Sequence, residues 1–159
     1  MARQPRLKIR GSDGNYHVIT RVRGREFLLD DHMKRYFISA LLKLKQLFYA
    51  EYLNFSCINN HYHILMGMRD PGDVDPYEAM KRWNAYHEEI YQRNEAQTEE
   101  REYVVGELTD ISSFMKRLNM LLTNEYNRRN AQKGTLWESR FKSVIVTHGW
   151  TSVKVGAYI

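Results

Sequence analysis

The sharpest chemical feature of the sequence is Asn60-His61-Tyr62-His63-Ile64-Leu65-Met66. In a strand, residues i and i+2 project from the same face. His61 and His63 therefore aim two imidazoles at one point, and Tyr62 points the other way. Two nitrogen donors so placed are a start for a divalent-metal site. The same spacing also fits two half-exposed histidines that hold nothing. His17, in an earlier strand-like segment, is a polar group that could lie beside the pair, or simply be half buried.

The second feature is a basic segment. Between Phe114 and Lys142 there are seven bases (Lys116, Arg117, Arg128, Arg129, Lys133, Arg140, Lys142) and two acids, Glu125 and Glu138. Arg140 and Lys142 are two apart, so a strand would put them on one face. Such groups can neutralise phosphates. Trp137 and Phe141 could stack on unpaired bases. The plain alternative is a solvated charged face with two core aromatics; the clustering of charge favours nucleic acid. Gly-rich phosphate loops, a Ser/His/Asp order and paired cysteines are not visible, and nothing suggests a nucleotide or redox cofactor.

These residues need a scaffold. Tyr16 to Arg23 alternates as a strand, and Asp30 or Asp31 can cap a helix running to about Phe48. Strands follow at about Ala50–Ile58 and Tyr62–Arg69, with Asn59-Asn60 as turn chemistry between them. Pro71, Gly72 and Pro76 break the pattern. Tyr77–Asn94 reads as a helix and Glu95–Glu107 as a charged connection. A strong helix spans about Asp110–Asn130, with Gly134 after its end, and Phe141–Thr147 is a further strand. A short helix begins near Thr151 or Ser152 and is cut off at Ile159. The expected fold is α+β: a ferredoxin-like antiparallel sheet with helices on one face, plus an acidic helical insertion at about 70–107.

Length and charge set the outer limits. The chain has 159 residues, enough for one domain, and it is 43% apolar, enough for a core. Lys+Arg 24 against Asp+Glu 19 gives +5. Residues 70–107 hold eleven acids and four bases, a net −7, so the remainder is +12. A body this basic suits a polyanion. No apolar run is long enough to cross a membrane, and the first residues lack a secretory h-region. The lone Cys57 excludes an internal disulfide and suits a reducing compartment.

Three segments together resemble a known family, the single-tyrosine HUH transposases (IS200-like), and among them the REP-associated tyrosine transposases. Tyr16-His17-Val18-Ile19-Thr20-Arg21 is similar to their first strand. Asn60-His61-Tyr62-His63-Ile64-Leu65-Met66 looks like their histidine–hydrophobic–histidine strand. Tyr126-Asn127-Arg128-Arg129, then Gly134-Thr135-Leu136-Trp137-Glu138-Ser139-Arg140-Phe141-Lys142-Ser143, resembles their Trp-centred segment. The resemblance runs from about Tyr16 to Ile159 and covers the acidic insertion poorly.

What the resemblance implies is a single HUH-type domain over 1–159 that acts on single-stranded or hairpin DNA. It implies Mg²⁺ or Mn²⁺ held by His61 and His63, and a nucleophilic tyrosine in a helix after the last strand. Ala157-Tyr158-Ile159 matches the start of that pattern, so Tyr158 is the expected nucleophile. The family's third metal ligand lies one turn beyond it, past Ile159. DNA contacts are expected from Arg21, Arg128, Arg129, Trp137, Arg140 and Lys142, with the N-terminal Arg3, Arg6, Lys8 and Arg10 as outlying contacts. The resemblance also implies a cytoplasmic, nucleoid-associated bacterial protein and allows a homodimer. Two other readings stand beside it: a non-catalytic binder of DNA hairpins, and a metal-dependent phosphoesterase that uses water.

Overall fold

The computed structural model describes residues 7–87, 93–94 and 96–147. Strand β1 is Gly14–Arg21, helix α1 Asp31–Leu47, strand β2 Ala50–Ile58 and strand β3 His61–Met68. Helices α2 (Pro76–Tyr86), α3 (Thr98–Leu108) and α4 (Ile111–Asn130) follow, and then strand β4 (Lys142–Ile145). The sheet order is β2-β3-β1-β4, antiparallel at every pairing. With α1 and α4 as the two crossovers this is the expected ferredoxin-like arrangement, and α2 and α3 are inserted between β3 and α4.

Local chemistry sets the helix starts. The Asp30 carboxylate accepts from the Met33 N–H at 2.8 Å to cap α1, and the Asp110 carboxylate accepts from the Ser112 N–H at 2.6 Å to cap α4. Helix α4 ends on Ala131 in the left-handed region, at φ 49°, rather than on the glycine the sequence suggests; Gly134 sits three residues further on, at φ 96°.

Period two decides the faces. Tyr16, Val18 and Thr20 of β1 and Tyr62, Ile64, Met66 and Met68 of β3 are buried. They meet the helices: the Phe37 ring of α1 lies 4.9 Å from the Tyr62 ring, and the Tyr62 hydroxyl donates to Asn119 Oδ1 of α4 at 2.7 Å. Tyr62, Phe37 and Phe114 are the bulkiest wholly buried side chains. Each such burial stabilises the fold by about 1.5–3 kcal/mol. The odd-numbered residues of β1 and β3 face away from the helices.

The insertion departs from its sequence reading. Helix α2 ends at Tyr86: His87 turns to extended backbone (φ −98°, ψ 150°), and the Trp83 carbonyl accepts both the His87 backbone N–H (3.1 Å) and the His87 Nδ1–H (2.8 Å). The stretch read as a charged connection is largely helix α3. Three of its four acids lie in the first turns, and Val104, Val105 and Leu108 join the main core. The Leu108 carbonyl accepts from the Tyr49 N–H at 3.0 Å, which ties the insertion to the body. No helix among the described residues is long and apolar enough to cross a membrane.

Candidate functional site

The sheet face turned away from α1 and α4 collects the sequence's chemical residues. In the β1–β3 register Arg21 lies opposite His61, Ile19 opposite His63, and His17 opposite Leu65. Across the other edge of β1, Ile19 pairs with Lys142 and His17 with Val144. Ser56 and Ile58 of β2 pair with His63 and His61. One row of this face therefore reads Ser56, His63, Ile19, Lys142, and the next reads Ile58, His61, Arg21. Arg21 and Lys142 are exposed, and the three histidines are half-buried.

The histidines are held, not loose. The His61 and His63 ring centroids are 5.0 Å apart. His63 Nδ1 is 3.0 Å from His17 Nε2, with the two rings stacked at 14°. His61 Nδ1 is 2.7 Å from Asn60 Oδ1, and the Asn60 amide nitrogen donates to the Arg25 carbonyl at 3.2 Å. That second bond fixes which way the amide points, so its oxygen faces the imidazole. His61 Nδ1 must then carry the proton, which leaves the lone pair on Nε2.

Electrostatics keep these rings neutral. Burial pushes His63 down to about 4, reinforced by His17, His61 and Arg21 nearby. Burial lowers His61 as well, with help from Arg21, and burial lowers His17. Neutral imidazole is the ligating form, so His61 and His63 fit the nitrogen half of a divalent-metal site. Among the described residues no group of three His, Cys, Asp or Glu side chains is placed to hold an ion. Tyr62 is no nucleophile: burial raises its hydroxyl far above the ordinary value.

The basic segment divides. Lys142 opens β4 on the histidine face, but Arg140 lies in the bend before the strand, so the two do not share one strand face. Trp137 is 8% exposed. Its indole N–H donates to the Asn119 carbonyl at 3.1 Å, and its ring meets Tyr62 edge-on at 5.6 Å. It is a core residue with no face to offer a base, and Phe141 is buried too. Arg128 makes two bonds to Glu125, at 3.0 and 2.9 Å, and Glu125 also meets His32 at 2.8 Å. Arg129 donates to both oxygens of Asp30, at 3.2 and 3.1 Å. Lys8 pairs with Asp110 at 2.7 Å. Tyr158 lies outside the described residues, as do Arg3 and Arg6.

Sequence reasoning missed Asn60 as an orienting group, although it stands beside His61. It gave His17 only an optional place, because the stacking on His63 depends on the β1–β3 register.

A family model described as "Transposase IS200 like" matches residues 11–109, more than half of the chain, including both histidines. The solved structure of a REP-associated tyrosine transposase bound to a REP hairpin is similar, with a TM-score of 0.62 at 16% identity. That match covers 100% of this chain and 70% of the other. A protein of Deinococcus radiodurans R1, whose description as a transposase is provisional, matches at a TM-score of 0.47 and 14% identity. It spans 99% of this chain and 95% of that one. No curated protein matches.

Proposed function

The chain belongs to the IS200-like transposase family, and from that premise we propose that it nicks and rejoins single-stranded DNA beside a hairpin through a 5′-phosphotyrosine. The observation that carries this reading is the sheet face turned away from α1 and α4, where two neutral, oriented imidazoles on β3 stand beside two exposed cations on β1 and β4.

His61 and His63 would hold Mg²⁺ or Mn²⁺. Such an ion supplies Lewis-acid polarisation of a phosphodiester and stabilises the leaving 3′ oxygen. The remaining work falls to the chain's own groups. Asn60 keeps the His61 proton on Nδ1. Arg21 and Lys142, on β1 and β4 to one side of the pair, would hold backbone phosphates in register, which positions DNA without choosing sequence. The Tyr158 oxygen would attack phosphorus in line. A phosphorus–oxygen bond to tyrosine forms, the bond to the 3′ oxygen breaks, and the tyrosine proton passes to solvent as the 3′ oxygen is protonated. An incoming 3′-hydroxyl reverses the exchange and regenerates the tyrosine, so no ATP is needed.

A denaturing gel tests this. The protein is incubated with a single-stranded DNA hairpin, with and without Mn²⁺, beside a Tyr158→Phe variant. The expected result is a metal-dependent protein–DNA band that survives denaturant and is missing from the variant. Binding on native gels with no covalent band would reduce the protein to a hairpin binder. Cleavage that persists in Tyr158→Phe would point to water as the nucleophile.

A further inference from the structure

We infer that the loop from Arg23 to Leu29 is a stacking lip for single-stranded DNA, in which the Phe27 ring takes one unpaired base and Arg23 and Arg25 hold the adjoining phosphates. The inference rests on the DNA reading above and adds a site to it.

The loop is fastened to the hairpin turn that carries the histidines. The Val22 N–H donates to the Asn60 carbonyl at 2.9 Å, and the Leu29 N–H donates to the Asn59 carbonyl at 2.8 Å. Between them the Arg25 carbonyl accepts from the Asn60 amide at 3.2 Å. The Arg23 N–H donates to the Leu136 carbonyl at 3.0 Å. Gly24 and Arg25 both take positive φ, 63° and 58°, a conformation that side-chain-bearing residues rarely adopt. Leu29 anchors the far end at 1% exposure. The loop is thus a fixed ledge over the start of β3.

Its tip faces solvent. Phe27 is 75% exposed, although a phenylalanine ring ordinarily stabilises a fold by being buried. Arg21, Arg23 and Arg25 are exposed along the same run, against one acid, Glu26. An aromatic ring interleaved with arginines is the chemistry that binds single strands: the cations follow the backbone, and the ring stacks on any base. The buried Trp137 cannot supply that ring. Because the loop is fastened to the turn that precedes His61, a stacked base at Phe27 would fix the strand's path past that turn.

The test uses the whole chain and a DNA hairpin with a single-stranded 5′ tail, with affinity read by fluorescence anisotropy. Phe27→Ala is expected to weaken tailed-hairpin binding about 5- to 150-fold, the range for removal of one base stack. A blunt hairpin should bind as before, and Phe27→Trp should restore tailed binding. An abasic site walked along the tail should produce the same loss at one position in the native protein, with no further loss there in Phe27→Ala. Equal binding of the tailed hairpin by Phe27→Ala and native protein would overturn the lip, as would an equal loss on blunt hairpins. Failure of the native protein to bind either DNA would sink the parent reading, and the lip with it, so the two failures are distinct.

Discussion

Two arginine-bearing regions of this chain look alike in sequence and differ in kind. At the end of α4, Arg128 pairs with Glu125 of the same helix while its side chain stays exposed, and the Arg129–Asp30 and Glu125–His32 pairs fasten α4 to the start of α1. On the sheet face turned away from α1 and α4, Arg21 on β1 and Lys142 on β4 stand to one side of two β3 histidines that burial keeps neutral. The first region joins helices; the second is the one proposed above to meet metal and DNA. Density of charge along the chain did not separate them, because what matters is the acid each base faces after folding.

Each side of that contrast can be broken. The largest expected effect is on cleavage: His63→Ala should lower metal-dependent covalent cleavage by about 10³-fold or more, while Glu125→Ala leaves it intact. Conversely, Glu125→Ala should cost roughly 1 kcal/mol of stability, a few degrees in Tm, while His63→Ala leaves Tm nearly unchanged. Gel assays and thermal melts on both variants decide this, and a melt shift of equal size in both would erase the distinction.

Next in size is the orienting amide. Asn60→Ala should weaken Mn²⁺ binding about 10- to 100-fold in calorimetry, the usual range for loss of a group that orients a ligating histidine. Imidazole ¹⁵N shifts should show the His61 proton no longer confined to Nδ1.

A smaller effect separates the cations. Arg21→Ala with Lys142→Ala should weaken single-strand binding about tenfold, and should flatten log Kd against log salt by about 0.7 for each phosphate no longer neutralised. Arg129→Ala should leave that slope where it was. A slope that changes only with Arg129→Ala would exchange the roles of the two regions.

The smallest effect is in acid. Hydrogen bonding from Arg128 holds the Glu125 carboxyl below its ordinary value, and the Met33 N–H does the same for Asp30. Carboxylates with depressed folded values add stability that is complete above the unfolded pKa, near 4 to 4.5. That stability is lost as pH falls through the folded values. Glu125→Gln should therefore shallow the acid limb of a stability–pH curve below about 4.5 and leave neutral pH to the missing ion pair alone.

Much of this was legible beforehand. Period-two alternation placed His61 and His63 on one face with Tyr62 on the other, and Asn59-Asn60 set the hairpin. A cap at Asp30 or Asp31 was readable because N-cap chemistry is local, and the structure takes Asp30. What escaped was non-local or weakly patterned. Asp30 and Arg129 are 99 residues apart, so nothing nearby marks Arg129 as engaged. The apolar residues of α3 are few and crowd its end, beside Glu99, Glu100 and Glu102, so the segment reads as connection. Trp137 looked ready to stack because it stands among bases; only the fold shows its N–H turned to Asn119. Arg140 has no strand partner because β4 begins at Lys142.

The central proposal is that metal and DNA meet the histidine-bearing face of β1, β3 and β4 rather than the basic end of α4. Paramagnetic broadening by substoichiometric Mn²⁺ in a ¹H–¹⁵N spectrum of the full chain tests it directly. The account predicts selective loss of amide signals near Arg21, His61, His63 and Lys142, abolished in His61→Ala/His63→Ala, with the signals of Glu125 to Asn130 untouched. Broadening centred on Asp30 and Glu125, or broadening that survives loss of both histidines, would contradict it.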